Sequence, residues 1–138
     1  MSKINHTILI DDNKTTNFLN KYLMLKSKRF SLIEVFINGK VVLERFEKDQ
    51  SFQPDVIFLD IDMPDIDGWE LLEKFEKLYS QKVKTKIFIL SSSINKDDSQ
   101  VFKPKHFAPE YLIKPLNLNL LNSLYHKYFG NDDSNFIK

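Results

Sequence analysis

The stretch Val56-Ile57-Phe58-Leu59-Asp60-Ile61-Asp62-Met63-Pro64-Asp65-Ile66-Asp67-Gly68 decides the fold. Four apolar residues in a row read as a strand buried on both faces, the kind that sits inside a parallel sheet. The run stops at an acid, Asp60, after which Pro64 and Gly68 mark a turn or loop. A carboxylate at the carboxyl end of a central strand stands where open α/β sheets take their ligands.

Working outward, four more short apolar runs alternate with helical patterns. Upstream, a strand over 7–10 ends in Asp11-Asp12, and Asn13 can cap a helix marked by Phe18, Leu19, Tyr22 and Leu23. A second strand lies near 32–36. Asn38-Gly39 makes a turn into a helix that buries Val42, Leu43 and Phe46. Downstream of Gly68, Leu71, Leu72, Phe75 and Leu78 form the inward face of a third helix. A strand over 86–90 then runs into Ser91-Ser92-Ser93. A fourth helix starts near Asn95 and stops before Pro104. A short strand over 111–113 ends in Lys114-Pro115. Asn117 caps the last helix, with Leu120, Leu121, Leu124 and Tyr128 on its apolar face and Gly130 at its stop. The tail, 131–138, is polar and predicted to be flexible.

Strand–helix alternation repeated five times implies an α/β fold, a parallel sheet flanked by five helices. Right-handed crossovers favour the flavodoxin-like order 2-1-3-4-5. That order sets Asp11-Asp12 beside Asp60 at the switch point, with Ser91 and Lys114 arriving on the same edge.

Composition narrows the function classes. The 138 residues suit one domain, and the absence of cysteine removes disulfide and thiol chemistry and fits a reducing compartment. The polar N-terminus and the short run 8–10 do not make a signal peptide, and no run reaches membrane-spanning length. A soluble, cytoplasmic protein is expected, without a membrane partner. The net charge of +1 makes no demand for nucleic acid. The lysines at 82, 84 and 86 read as a solvated loop, and His6, His106 and His126 lack metal-ligand spacing.

Three carboxylates held together raise one another's pKa, and a hard divalent cation such as Mg²⁺ removes the conflict. A carboxylate can also attack phosphorus and form an acyl phosphate. Phosphoryl transfer asks the protein chiefly to position groups and to neutralise equatorial oxygens. The cation would take one oxygen, Lys114 a second, and the Ser91 hydroxyl or a nearby N–H the third.

Taken together, Ile8-Leu9-Ile10-Asp11-Asp12, Leu59-Asp60-Ile61-Asp62-Met63-Pro64, Asp67-Gly68, Leu90-Ser91-Ser92 and Tyr111-Leu112-Ile113-Lys114-Pro115 make the chain similar to the response-regulator receiver domains of two-component signalling, with their CheY-like fold. The resemblance covers about 7–129 and implies a receiver domain over 1–130. It implies Asp60 as phosphoacceptor, and Mg²⁺ bound by Asp12 directly, by Asp11 through water and by the Asp62 backbone carbonyl. It also implies Ser91 as the switch hydroxyl, Lys114 as the phosphate-binding lysine and Tyr111 as the switch aromatic. The donor would be a phosphohistidine on a sensor histidine kinase or histidine phosphotransfer protein, and the output an unknown downstream protein. Such a domain is a signalling switch that catalyses its own phosphorylation and dephosphorylation, rather than a metabolic enzyme. With only the last helix and a tail after Lys114, a stand-alone receiver in a phosphorelay is expected.

Each residue also has a plainer reading. Asp11-Asp12 can simply cap a helix, Ser92 competes with Ser91, Asp62 can face solvent, and Tyr111 can be ordinary packing. The segment 101–110 departs from the family: it suggests a shortened fourth helix and a longer loop, with Phe102 and Phe107 as core or as a small contact patch. Asp60-x-Asp62 also resembles the nucleophile motif of haloacid-dehalogenase-type phosphohydrolases, which place an acidic pair after the lysine. Here the only such pair, Asp132-Asp133, lies in the polar tail. A receiver-fold binding module that works without phosphorylation is the remaining alternative.

Overall fold

The structure is a computed structural model that describes residues 3–49, 51–63, 67–92 and 104–130. Five strands, β1 (Ile4–Ile10), β2 (Phe30–Phe36), β3 (Val56–Asp60), β4 (Lys86–Ser91) and β5 (Glu110–Ile113), form one sheet in the order β2-β1-β3-β4-β5, with every neighbouring pair parallel. Every residue of β3 is buried, as its apolar run requires. Register sets Leu59 beside Ile10 on one side, and Asp60 beside Leu90 on the other. The ends of β1, β3 and β4 therefore finish level, and the acids that follow them share one edge.

Four helices are present among the described residues: α1 (Lys14–Ser27), α2 (Gly39–Lys48), α3 (Gly68–Lys77) and α4 (Leu118–Phe129). The expected fourth helix, starting near Asn95, lies outside the described residues, as do Phe102 and the tail 131–138. Each helix begins on a side-chain cap. Asn13, Asn38, Asp67 and Asn117 accept the N–H of Thr16, Lys40, Glu70 and Leu120, respectively, each worth ~1 kcal/mol. Asn38 is thus a cap and Gly39 the first helical residue, rather than two turn residues.

Two cores cover the two sheet faces. Helices α2 and α3 pack Val42, Phe46, Leu71, Leu72 and Phe75 against Ile8, Ile10, Ile57, Leu59, Ile87 and Ile89. Helices α1 and α4 pack Met24, Leu121, Leu124 and Tyr125 against Leu9, Val56, Phe58, Phe88 and Leu90. The alternation of strand side chains between faces produces this division. Phe107 belongs to the α2–α3 core, which settles its two readings in favour of packing.

Helix α1 differs from its expectation. The spacing of Phe18, Leu19 and Tyr22 marks a helix, but these side chains are exposed, and the buried ones are Asn17, Asn20 and Met24. Asn17 donates to the carbonyl of Asp11, just past the end of β1.

The segment leading into β5 is tied to α3 by one carboxylate. Buried Glu76 accepts the backbone N–H groups of Lys105, His106 and Phe107 at 2.8–3.0 Å and faces His106 Nδ1 at 3.0 Å. The His106 carbonyl accepts the Val83 N–H, and the Ala108 carbonyl accepts from Lys86 Nζ.

Candidate functional site

Asp60 ends β3 with its side chain almost wholly enclosed, at 2% exposure. Its Oδ1 accepts from Lys114 Nζ at 2.8 Å and from the Asp62 N–H at 3.2 Å. The hydrogen bonds given among the described residues fall on Oδ1 and leave Oδ2 as the second oxygen of the carboxylate. Lys114 follows β5, two strands away. Its backbone N–H bonds the Ser91 carbonyl at 2.8 Å, which extends the β4–β5 ladder and brings the ammonium back to Asp60. The peptide bond from Lys114 to Pro115 is cis.

Asp11 and Asp12 follow β1. One carboxylate oxygen from each of Asp11, Asp12 and Asp60 falls within 4.8 Å of the others. Asp11 is buried, at 3% exposure, whereas Asp12 is exposed. Burial pushes the Asp11 carboxyl up to about 6, with the charges of Asp60 and Asp12 adding to the rise. The Asn13 N–H and the Lys114 charge oppose it. On Lys114 burial alone would lower the pKa, but the Asp60 hydrogen bond and the charges of Asp60, Asp11 and Asp62 outweigh it and hold the ammonium above its ordinary range.

One atom tests whether a metal ion fits. Asp11 Oδ2 is buried and has no hydrogen-bond partner among the described residues, with Lys114 Nζ at 3.9 Å. An unsatisfied buried acceptor costs ~1–3 kcal/mol, more when it is charged. A hard cation with oxygen preference answers both that vacancy of bonding and the repulsion among three carboxylates. The residues present fit such an ion.

The other residues singled out in the sequence lie around this edge. Ser91 is the buried last residue of β4, and Ser92, next to it, is exposed, so position favours Ser91. The Asp62 side chain is exposed, and only its backbone contacts Asp60. Tyr111 is half-buried on β5, its ring 5.6 Å from that of Trp69. Gly68 closes the loop. A Cβ built there meets the Ile61 Cα at 2.6 Å and the Asp60 carbonyl at 2.9 Å, and the Gly68 N–H bonds the Ile61 carbonyl. Only glycine permits the start of α3 to come so close to the end of β3.

Sequence reasoning passed over two of these features, the Trp69–Tyr111 contact and Asn17. Asn17 left a signal: Asn17, Asn20 and Met24 stand three and four residues apart, a spacing that shares one face.

Comparison with known proteins gives consistent results. The family model described as response regulator receiver domain matches residues 7–126. An uncharacterized response regulatory protein of Vibrio cholerae is 32% identical over 124 residues, which covers 89% of this chain and 44% of that protein. The chain spans about half the length of the curated relatives it matches. Among solved structures, a two component response regulator from Cytophaga hutchinsonii is 33% identical with a TM-score of 0.77, covering 93% of this chain and 98% of that one. The fold is shared with the response regulator protein TrrA of Thermotoga maritima, solved in complex with Mg²⁺ and BeF. That protein is 24% identical with a TM-score of 0.64, and the match covers 94% of this chain and all of that one. Among the described residues, no helix is long and apolar enough to cross a membrane.

Proposed function

The chain belongs to the response-regulator receiver family, and on that premise we propose that it takes a phosphoryl group from a phosphohistidine onto Asp60 and thereby changes its affinity for a partner protein. The observation that carries this reading is the meeting of Asp11, Asp12 and Asp60 with the Lys114 ammonium at one sheet edge. In the transfer, Oδ2 of Asp60 forms a bond to phosphorus as the bond from phosphorus to the donor imidazole nitrogen breaks. The imidazole leaves with the electron pair and takes a proton from solvent, and Asp60 becomes an acyl phosphate. Mg²⁺ held by Asp11, Asp12, Asp60 and the Asp62 backbone carbonyl would neutralise charge on the carboxylates and the phosphoryl oxygens.

The chain's own groups do the rest. Lys114, now on Asp60 Oδ1, is a cation at hand for a phosphoryl oxygen, and its raised pKa keeps it charged at neutral pH. Ser91, closing the neighbouring strand, is the hydroxyl for another oxygen. Its inward shift, with Tyr111 following, makes the switch a shift between two populations. The donor is a sensor histidine kinase or a histidine phosphotransfer protein in the cytoplasm, and the output is a downstream protein rather than nucleic acid or membrane. Support for the ion comes from the orphaned Asp11 Oδ2 and from the Mg²⁺ and BeF complex of the Thermotoga neighbour.

The test is incubation with a small-molecule phosphodonor and Mg²⁺, with the adduct read by mass. The wild-type protein should gain one phosphoryl group, and none when Mg²⁺ is chelated before the donor is added. An Asp60→Asn variant that is labelled to the same stoichiometry sinks the assignment.

A further inference from the structure

Asn17 sits on the inward face of α1 at 3% exposure, where a helix packed on a sheet ordinarily presents an apolar side chain. Its Nδ2 donates to the backbone carbonyl of Asp11 at 2.7 Å in a buried bond. Its Oδ1 is buried with no hydrogen-bond partner among the described residues. A half-satisfied amide is a poor way to hold a helix on a sheet, because the orphaned oxygen offsets most of what the single bond contributes. The bond has its use at the other end.

Asp11 is gripped at three points. Its N–H donates to the Phe36 carbonyl at 3.1 Å, its carbonyl accepts from Asn17, and its Oδ1 accepts the Asn13 N–H at 2.9 Å. Asn13 is itself fixed as the cap of α1, accepting from Thr16. Oδ2 is what remains, and it is the orphan that belongs to the acidic cluster. The Asp11 carbonyl and the Asp12 N–H belong to one rigid peptide plane. The Asn17 bond therefore also sets the direction in which Asp12 leaves the chain. Asp12 is exposed and has no hydrogen bond of its own among the described residues.

We infer that Asn17 is a positioning residue for the acidic pair: it locks the Asp11–Asp12 peptide so that both carboxylates are already turned toward a divalent cation before one arrives. This rests on the reading of the cluster as a Mg²⁺ site, and it adds a residue that touches neither the ion nor the phosphoryl group. Groups that orient metal ligands change metal affinity by about 10–100-fold when removed.

The test is thermal unfolding of the whole protein over a range of Mg²⁺ concentrations, comparing wild type with Asn17→Leu and Asn20→Ala. Leucine keeps the heavy-atom count and branch point of asparagine and removes both the bond and the orphaned oxygen, so the variant should fold, with a Tm in chelator close to wild type. Its midpoint for Mg²⁺ stabilisation should rise about tenfold. Its initial rate with a phosphodonor should fall most at low Mg²⁺, the gap narrowing as Mg²⁺ is raised. Asn20 is on the same buried face without a bond to Asp11, and its variant should keep the wild-type Mg²⁺ midpoint. A merely structural Asn17 would lower the Tm in chelator and leave the midpoint where it was, which overturns the inference. Equal midpoints in the Asn17→Leu and wild-type proteins overturn it too. A wild-type protein that Mg²⁺ does not stabilise at all removes the site reading first, and this inference with it.

Discussion

Helices α3 and α1 lie on opposite faces of one sheet and turn different kinds of side chain inward. Helix α3 buries Leu71, Leu72 and Phe75 and turns most of its charges outward. Helix α1 buries two asparagines and Met24, and leaves Phe18 70% exposed, with Leu19, Tyr22 and Leu25 also largely in solvent. The first is placed by removal of apolar surface from water. The second buries less apolar surface, Met24 with Leu23 partly covered, and joins the Asp11 turn through Asn13 and Asn17. A helix that flanks a reactive site can spend its inward face on the site rather than on the core.

The contrast is open to attack, most forcefully through α3. Phe75 is fully buried, with the rings of Phe46 at 4.7 Å and Phe107 at 6.4 Å. Phe75→Ala should cost ~3–5 kcal/mol in urea denaturation. A loss below ~1 kcal/mol would mean that apolar burial does not hold α3.

The α1 side should show itself through pH. In the metal-free protein Asp11 has a folded-state pKa of about 6, above its ordinary 3.8, so the folded state binds its proton more tightly than the unfolded chain does. The sign is therefore opposite to that of a salt-bridged acid. The contribution is present below about pH 4 and is lost as pH rises through 6, by an amount on the order of 2–3 kcal/mol. Urea denaturation in chelator across this window should show that decline superimposed on the other titrations. Asp11→Asn should flatten it, and Mg²⁺, competing with the proton, should offset it. A wild-type profile that Asp11→Asn leaves unchanged would show that the burial of this carboxyl is not felt.

Where α3 meets the site, Gly68→Ala forces a methyl against the Ile61 and Asp60 backbone. A loss of ~1–3 kcal/mol is expected, with weaker phosphorylation of Asp60 as the loop shifts. Neutral behaviour would show that the approach of α3 to β3 is not tight. The smallest effect belongs to the outer face of α1. The double variant Phe18→Ala, Tyr22→Ala should stay within ~0.5 kcal/mol per site, as exposed positions do. A loss of several kcal/mol would show that this face is covered in solution.

Most of the architecture could be read from the chain, because the five apolar runs and the caps at Asn13, Asn117 and Asp67-Gly68 are local signals. The strand starts were less legible. β1 begins at Ile4 rather than 7 and β2 at Phe30 rather than 32, because Asn5, His6 and Ser31 interrupt the apolar pattern there. The Ile4 N–H bonds the Arg29 carbonyl, a pairing that only the folded sheet supplies. The meeting of Asp11, Asp12, Asp60 and Lys114 followed from strand order alone. The orientation of α1 could not, since helical spacing identifies a stripe of side chains but not what lies opposite it. Nothing local sets Glu76 apart from Glu70 and Glu73, because its burial depends on backbone donors 29–31 residues away.

That Glu76 clasp has a consequence for the reactive edge. Three amides of 105–107 are fastened to α3, and Val83 and Lys86 hold the same segment, so the entry of β5 is anchored at several points. The exit of the same short strand carries Lys114 to Asp60. One carboxylate and one ammonium thus moor β5 at its two ends, and slack at the first would be felt at the second.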